Sequence, residues 1–261
     1  MHSSVITFPG SNCDRDMDVA LKKFGFKNKM VWHDDTELPK SDLVVLPGGF
    51  SYGDYLRCGS MASKSKIMKS VINFATSGGM VMGICNGFQV LVKMGLLPGD
   101  DEVSLNQSAS LTINDSGQYE NRWVNLEFNP DSNCIWTKNM TRIRVPVRHG
   151  EGKFVTSEKT LLDQWDKSGQ LIVRYVDPSS AYPSAKDNIL PYPISPNQSW
   201  RNIAGVCDPS GLVFGLMPHP EANHSTWLGA TWTRENIEHG EGEGMKIFRN
   251  AVNYVSENFD N

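Results

Sequence analysis

The apolar positions of this chain fall into two textures, and the change comes near Pro98. Before it, short apolar runs alternate with segments of helical spacing. Val5 to Phe8 and Met30 to Trp32 predict strands, and Leu43 to Leu46 and Met80 to Ile84 are continuous enough to be strands buried on both faces. Between the first two, Asp14 or Asp16 is placed to cap a helix through Phe24, with Gly25 as its stop. Met61 to Ala75 predicts a second helix, closed by Ser77-Gly78-Gly79. From Asn86 the positions Phe88, Val90, Leu91 and Met94 return at helical spacing and predict a third. This alternation predicts an α/β fold, a doubly wound and mainly parallel sheet with helices on both faces. Its site belongs at the carboxyl ends of the strands.

Past Pro98 the chain reads as successive strands. They are expected at Ser110 to Asn114 and Trp123 to Phe128, flanking a turn at Ser116-Gly117. Arg142 to Val147, Leu171 to Val176, Ile203 to Cys207 and Leu212 to Leu216 continue the series, with Pro209-Ser210-Gly211 a hairpin-like turn. The Pro- and Asn-rich segment 177–200 predicts a loop, and Met245 to Val255 a final helix. There is no repeat and no linker long enough to separate domains. Residues 1–261 therefore read as one domain, with loop insertions near 177–200 and 222–244.

The strand at Met80 to Ile84 runs into Gly83-Ile-Cys85-Asn-Gly87, and the third helix follows at once. This is the geometry of a nucleophile elbow, with cysteine in place of serine. Free cysteine is often only a small buried hydrophobe. Glycine two residues to either side, a buried strand before and a helix after favour a nucleophile instead. The helix N-terminus favours a thiolate by only about 0.3–1 kcal/mol, so a nearby base must supply the rest.

Composition narrows the setting. A formal net charge of −4 gives no reason to expect nucleic acid or an anionic membrane as partner. The opening Met-His-Ser-Ser-Val has the pattern of neither a signal peptide nor an anchor, and no apolar run approaches transmembrane length. Five cysteines without C-x-x-C spacing suggest reduced thiols in the cytoplasm rather than disulfides or a zinc site. Gly150-Glu-Gly152 and Gly240-Glu-Gly-Glu-Gly244 lack the spacing of a phosphate loop and read as turns.

A nucleophilic thiol needs a base, and the base needs an orienting group. His219 follows the apolar run 212–217 and begins His219-Pro220-Glu221, where the proline favours an extended backbone. Residues 219 and 221 can then project to one side, so that Glu221 holds the imidazole. His224, His33 and His149 are weaker candidates, and His2 and His239 read as surface residues. For a developing oxyanion, the N–H of Asn86 and that of Gly49 or Phe50 are the expected donors. Gly48-Gly49 as a mere tight turn is the plainer alternative.

Together, Gly83-Ile-Cys85-Asn-Gly87-Phe-Gln89, Pro47-Gly-Gly and Pro218-His219-Pro-Glu221 resemble the class I (triad) glutamine amidotransferases, which have a flavodoxin-like fold. More narrowly, residues 47–57, 116–124, His149 to Phe154, 202–205 and 215–221 are similar to the glutaminase part of phosphoribosylformylglycinamidine synthases. The likeness runs from Val5 to Glu221. It departs at Phe88, where the family often carries a smaller residue, and over 222–244, which is longer.

The resemblance implies a glutaminase subunit that splits glutamine and supplies ammonia to an ATP-dependent synthetase subunit in purine biosynthesis, with a small accessory subunit as a further partner. It also implies contacts to glutamine from Gln89, His149, Gly150, Gly152, Lys153 and Phe154. No metal or cofactor is expected in this chain, with ATP and magnesium on the synthetase. Two other readings are a stand-alone cysteine hydrolase, or another amidotransferase's glutaminase, and a non-catalytic binding subunit.

Overall fold

In the computed structural model, residues 1–100, 104–180, 187–235 and 237–259 are described. The first part of the chain alternates as its pattern predicts: β1 (His2–Thr7), α1 (Asp14–Lys23), β2 (Lys27–Trp32), β3 (Leu43–Leu46), α2 (Met68–Thr76), β4 (Met80–Ile84) and α3 (Asn86–Lys93). Every residue of β3 and β4 is buried, as unbroken apolar runs require. Then come β5 (Ala109–Thr112), β6 (Glu120–Phe128), β7 (Arg142–His149), β8 (Lys153–Thr156), α4 (Lys159–Lys167), β9 (Leu171–Tyr175), β10 (Ile203–Cys207), β11 (Val213–Leu216) and α5 (Met245–Phe259).

The main sheet has the order β2-β1-β3-β4-β11-β10-β9-β6-β7. Its first five strands are mutually parallel, and from β11 onward the neighbours run antiparallel. Helices cover both faces. Phe214 of β11 stacks on Trp136, which lies under α5. A Cβ on the next residue, Gly215, would run into the ring of Phe88 on α3. Successive strand residues face opposite sides, so α5 and α3 lie on opposite faces. Phe88 thus fills the space that glycine leaves on β11, in the core.

The structure departs from the sequence pattern in four places. The helix expected over 61–75 begins only at Met68; a short 3-10 turn, Ala62–Lys64, precedes it and Ser65 is extended (ψ 150°). Neither Asp14 nor Asp16 caps α1. Cys13 occupies the N-cap without a side-chain cap, and the two carboxylates lie in the first turn, where they meet the positive end of the helix dipole. The strand expected at 110–114 is β5, which leaves the main sheet and pairs with β8 in a separate ribbon. That strand β8 and helix α4 had no expectation of their own. Among the described residues, 177–180 and 187–199 hold no helix or strand, and 222–244 contains only short turns. No described helix is long and apolar enough to cross a membrane.

Candidate active site

Three adjacent parallel strands end at the site. Leu46 of β3 is in register with Gly83 of β4, and Leu216 of β11 with Ile84. The chain beyond each strand therefore brings Gly48-Gly49, Cys85 and Met217-Pro218-His219 side by side. The neighbouring end of β1 contributes the loop that leads to Cys13. Between β1 and β3 the winding of the sheet reverses, which is where open α/β sheets form their crevice.

Cys85 has φ 50° and ψ −104°, a conformation that costs a non-glycine residue about 1–3 kcal/mol. Its surroundings over-determine it. The Cys85 N–H donates to the Leu216 carbonyl at 2.7 Å, and its own carbonyl accepts from the Gln89 N–H at 3.1 Å. A Cβ on Gly83 would stand 2.8 Å from the Gly87 carbonyl, and one on Gly87 would collide with the Leu46 carbonyl. Glycine on both sides is thus a steric requirement of the elbow. The thiol itself lies 3.4 Å from the Arg148 carbonyl.

His219 is pinned by its N–H to the Pro146 carbonyl at 2.8 Å. Its Nδ1 meets Glu221 Oε1 at 2.6 Å, with both side chains fully buried. A Cβ at Gly48 would lie 2.6 Å from Cε1 of His219 and 3.4 Å from Cβ of Cys85. The imidazole and Cys85 therefore converge over Gly48, where any larger residue would run into the imidazole. Burial works against a charged His219, but the Glu221 carboxylate, Cys85 and the Cys13 thiol outweigh it. The pKa is raised well above its ordinary value. Such an imidazole is suited to take a proton from a thiol and keep it.

Of the expected oxyanion donors, the N–H of Asn86 is the first of α3 and has no intrahelical partner. The Gly49 N–H meets no acceptor among the described residues. Phe50 is a correction: its N–H already donates to the Gly10 carbonyl at 3.0 Å. The bridge between Ser11 and Gly49 turns it away, so that of these two amides the Gly49 N–H is the one left unbonded among the described residues. The Phe50 side chain packs at the surface against Tyr119.

The residues expected to touch glutamine divide. The Gln89 amide nitrogen donates to the Glu151 carbonyl at 2.6 Å, which ties α3 to the turn carrying Gly150 and Gly152 between β7 and β8. His149 is buried, and burial followed by the charge of His219 lowers its pKa to about 3. Asn114 fixes its tautomer. The Asn114 amide donates to the Gln118 and His149 carbonyls, so its oxygen accepts from His149 Nδ1 at 3.1 Å and from the Gly152 N–H at 3.0 Å. His149 Nε2 is left as a bare acceptor. Phe154 is fully buried in the core, its ring stacked on Phe88 and edge-on to Trp165. Lys153 is held by Asp115 at 2.6 Å.

Sequence reasoning did not find the wall opposite. Glu151 pairs with Arg57 at 3.3 Å and accepts from the Cys58 N–H. Asp54, raised in pKa by burial and by Glu151, accepts from the Asn86 amide at 3.3 Å. Tyr119 has a pKa raised by burial and by Cys85. Cys13 stands 3.4 Å from the same point over Gly48. Its place just beyond a strand end was the one available signal.

A family model described as a CobB/CobQ-like glutamine amidotransferase domain matches residues 1–255, and the chain belongs to that class. The "Phosphoribosylformylglycinamidine synthase subunit PurQ" of Pelagibacter ubique is 54% identical over 221 residues, covering 85% of this chain and 89% of that protein. The protein of the same name from Chlorobaculum parvum is 39% identical over 263 residues, covering 98% and 91%. A chain in the structure of PurLQS from Thermotoga maritima superposes with TM-score 0.74 and 35% identity over 97% of this chain and 98% of that one. Within the class, the chain belongs to the PurQ family.

Proposed function

We propose that this chain hydrolyses glutamine to glutamate and ammonia, and that the ammonia passes to an ATP-dependent synthetase subunit making formylglycinamidine ribonucleotide. Cys85 Sγ attacks the amide carbonyl, while His219 takes the thiol proton and returns it to the departing ammonia. The N–H groups of Gly49 and Asn86 hold the oxyanion. His219 then activates water against the glutamyl thioester, and Glu221 on Nδ1 fixes the tautomer and stabilises the imidazolium. Gln89 and the turn at His149, Gly150 and Gly152 stand on the substrate side. ATP and magnesium belong to the synthetase, and the complex works in the cytoplasm.

The observation that carries this reading is the meeting of the strained Cys85 with the His219–Glu221 pair over Gly48. Cys85→Ala is the test, in complex with the synthetase. Glutamine-dependent synthesis should fall by several orders of magnitude, because members of such a unit act together. Synthesis from added ammonium salt should survive. A mutant complex that still uses glutamine normally refutes the mechanism.

Unattended hydrolysis would waste ammonia. The isolated chain is expected to turn over slowly, and the loaded synthetase to raise the rate by ~10- to 100-fold, about 1.4–2.7 kcal/mol of coupling. A glutaminase assay with and without the partner measures it. The contact is expected at residues 50–57, beside the Gly49 donor.

A further inference from the structure

A ring of hydrogen bonds joins the exposed segment 50–57 to the start of α3. Asn86, whose N–H is the oxyanion donor there, is buried, and its side-chain amide donates twice. One bond goes to Asp54 Oδ1 at 3.3 Å and the other to Gln89 Oε1 at 3.0 Å. The Gln89 amide donates in turn to the Glu151 carbonyl at 2.6 Å. The Glu151 carboxylate leads back to the segment, through Arg57 at 3.3 Å and the Cys58 N–H at 3.3 Å. Just beyond, a Cβ on Gly59 would stand 2.9 Å from the Val90 nitrogen, so the end of the segment lies directly on α3.

Asp54 is held in this ring against two opposing effects. Its backbone is left-handed (φ 54°), as are those of Tyr52 and Leu56, which costs energy in any residue with a Cβ. Glu151 places a second carboxylate beside it. Burial and that charge raise the Asp54 pKa, while a hydrogen bond from the Cys58 thiol works the other way. Burial and the same two carboxylates push the Cys58 thiol up, so it stays protonated as a donor. Next in sequence, Tyr55 and Leu56 are exposed. We propose that Asp54 is a positioning residue linking the synthetase to the oxyanion hole, turned in when the synthetase rests on Tyr55 and Leu56 and turned out when it leaves. Turned in, it anchors the Asn86 side chain and with it the first turn of α3, as the structure shows. Turned out, strain and repulsion are relieved and the Asn86 N–H loses its anchor. A contact on two exposed side chains then selects the productive state. This rests on the function proposed above and names the residue through which its coupling runs.

Glutaminase rates of the purified chain, alone and with the loaded synthetase, test it in two variants that should move in opposite directions. Asp54→Asn keeps an acceptor for Asn86, removes the repulsion from Glu151 and tolerates positive φ well. Its unstimulated rate should rise ~3-fold or more, the size of one partly exposed charge interaction, while its stimulated rate stays near the parent's. Asp54→Ala offers no acceptor. Its stimulation should fall below ~3-fold although the synthetase still binds by calorimetry. The loss should lie in kcat rather than KM, because an oxyanion donor acts in the transition state. Adding Leu56→Ala to Asp54→Ala should remove little more, since both act on one path. An unstimulated rate that falls in Asp54→Asn overturns the proposal, as does an Asp54→Ala chain stimulated as strongly as the parent. If Asp54→Ala does not fold, the sign of the Asp54→Asn change decides alone. A parent chain that a bound synthetase fails to stimulate refutes the proposed coupling itself, whatever the variants do, and the role of Asp54 falls with it.

Discussion

Two segments border the site, and both hold non-glycine residues at positive φ. At the elbow it is Cys85 (φ 50°); along residues 50–57 it is Tyr52, Asp54 and Leu56 (φ 54°, 54° and 68°). The elbow is locked. Its flanks are buried, its glycines touch backbone on the far side, and its N–H and carbonyl are both bonded. The other segment is open: Tyr55 is 74% exposed and Leu56 83%. Its start is tied, by the Phe50 and Tyr52 N–H groups to the Gly10 and Pro9 carbonyls and by Tyr52 to His33 and Ser65, and Asp54 accepts from Asn86; beyond that it is held mainly by Arg57 and the Cys58 N–H to Glu151. Strain enclosed by core packing positions a reacting atom, whereas strain at a surface leaves backbone states within reach that a partner can select. The same conformational cost therefore serves rigidity in one place and responsiveness in the other.

The sharpest test of the locked side is chemical. Glu221→Gln should slow glutamine turnover by on the order of 10,000-fold, and His219→Ala by more, since the histidine moves protons and the glutamate orients it. Steady-state kinetics of the two proteins settle the order; a larger loss from Glu221→Gln in a folded protein would reverse the roles. The steric side follows. Gly87→Ala should cost more than about 4 kcal/mol, because its methyl would overlap the Leu46 carbonyl on a rigid strand. Gly53→Ala, at φ +64° but near only the Tyr55 ring, should cost about 1–2 kcal/mol. Equal denaturation midpoints for the two would erase the distinction between the segments.

His149 gives a pH dependence of definite sign. Its folded pKa, about 3, lies below the ordinary 6.5, so the unfolded chain binds the extra proton between those values. Stability therefore falls as pH drops through that window. From pH 7 to pH 5 this single group should remove about 2 kcal/mol. Denaturant titrations at both values should show a smaller loss for His149→Gln than for the parent. The same loss in both would mean that His149 takes up its proton in the folded state. The smallest effect is expected at the open segment: Leu56→Ala should change stability by less than about 0.5 kcal/mol while lowering the rate increase caused by the synthetase. A large loss of stability with normal stimulation would make the segment structural.

The two halves of the molecule were unequally legible. Buried parallel strands are apolar at every position, and the turn beyond β4 must be Gly-x-Cys-x-Gly for its backbone to fit, so pattern and chemistry coincided at Leu43–Leu46, Met80–Ile84 and Cys85. His219 and Glu221 do meet, but not on the extended backbone expected of them: Pro220 and Glu221 begin a 3-10 turn (Pro220–Asn223), and it is within that turn that Oε1 reaches Nδ1. The helix expected from Met61 failed because apolar spacing does not register the extended backbone at Ser65. The pairing of β5 with β8 is a long-range choice that no local run encodes.

Within the site, the sequence by itself determined the atoms that depend on local geometry: the elbow thiol, the His-x-Glu pair and the amide at the start of α3. Only the tertiary structure decided which amide of the Gly-Gly-Phe turn stays free, because the acceptor that removes Phe50 is the carbonyl of Gly10, forty residues earlier. It likewise decided that Phe154 belongs to the core and that Cys13 stands beside His219. Spacing along a chain fixes what lies within a few residues. Contacts between strand ends are fixed by the order and register of the sheet, and these follow from packing the whole chain at once.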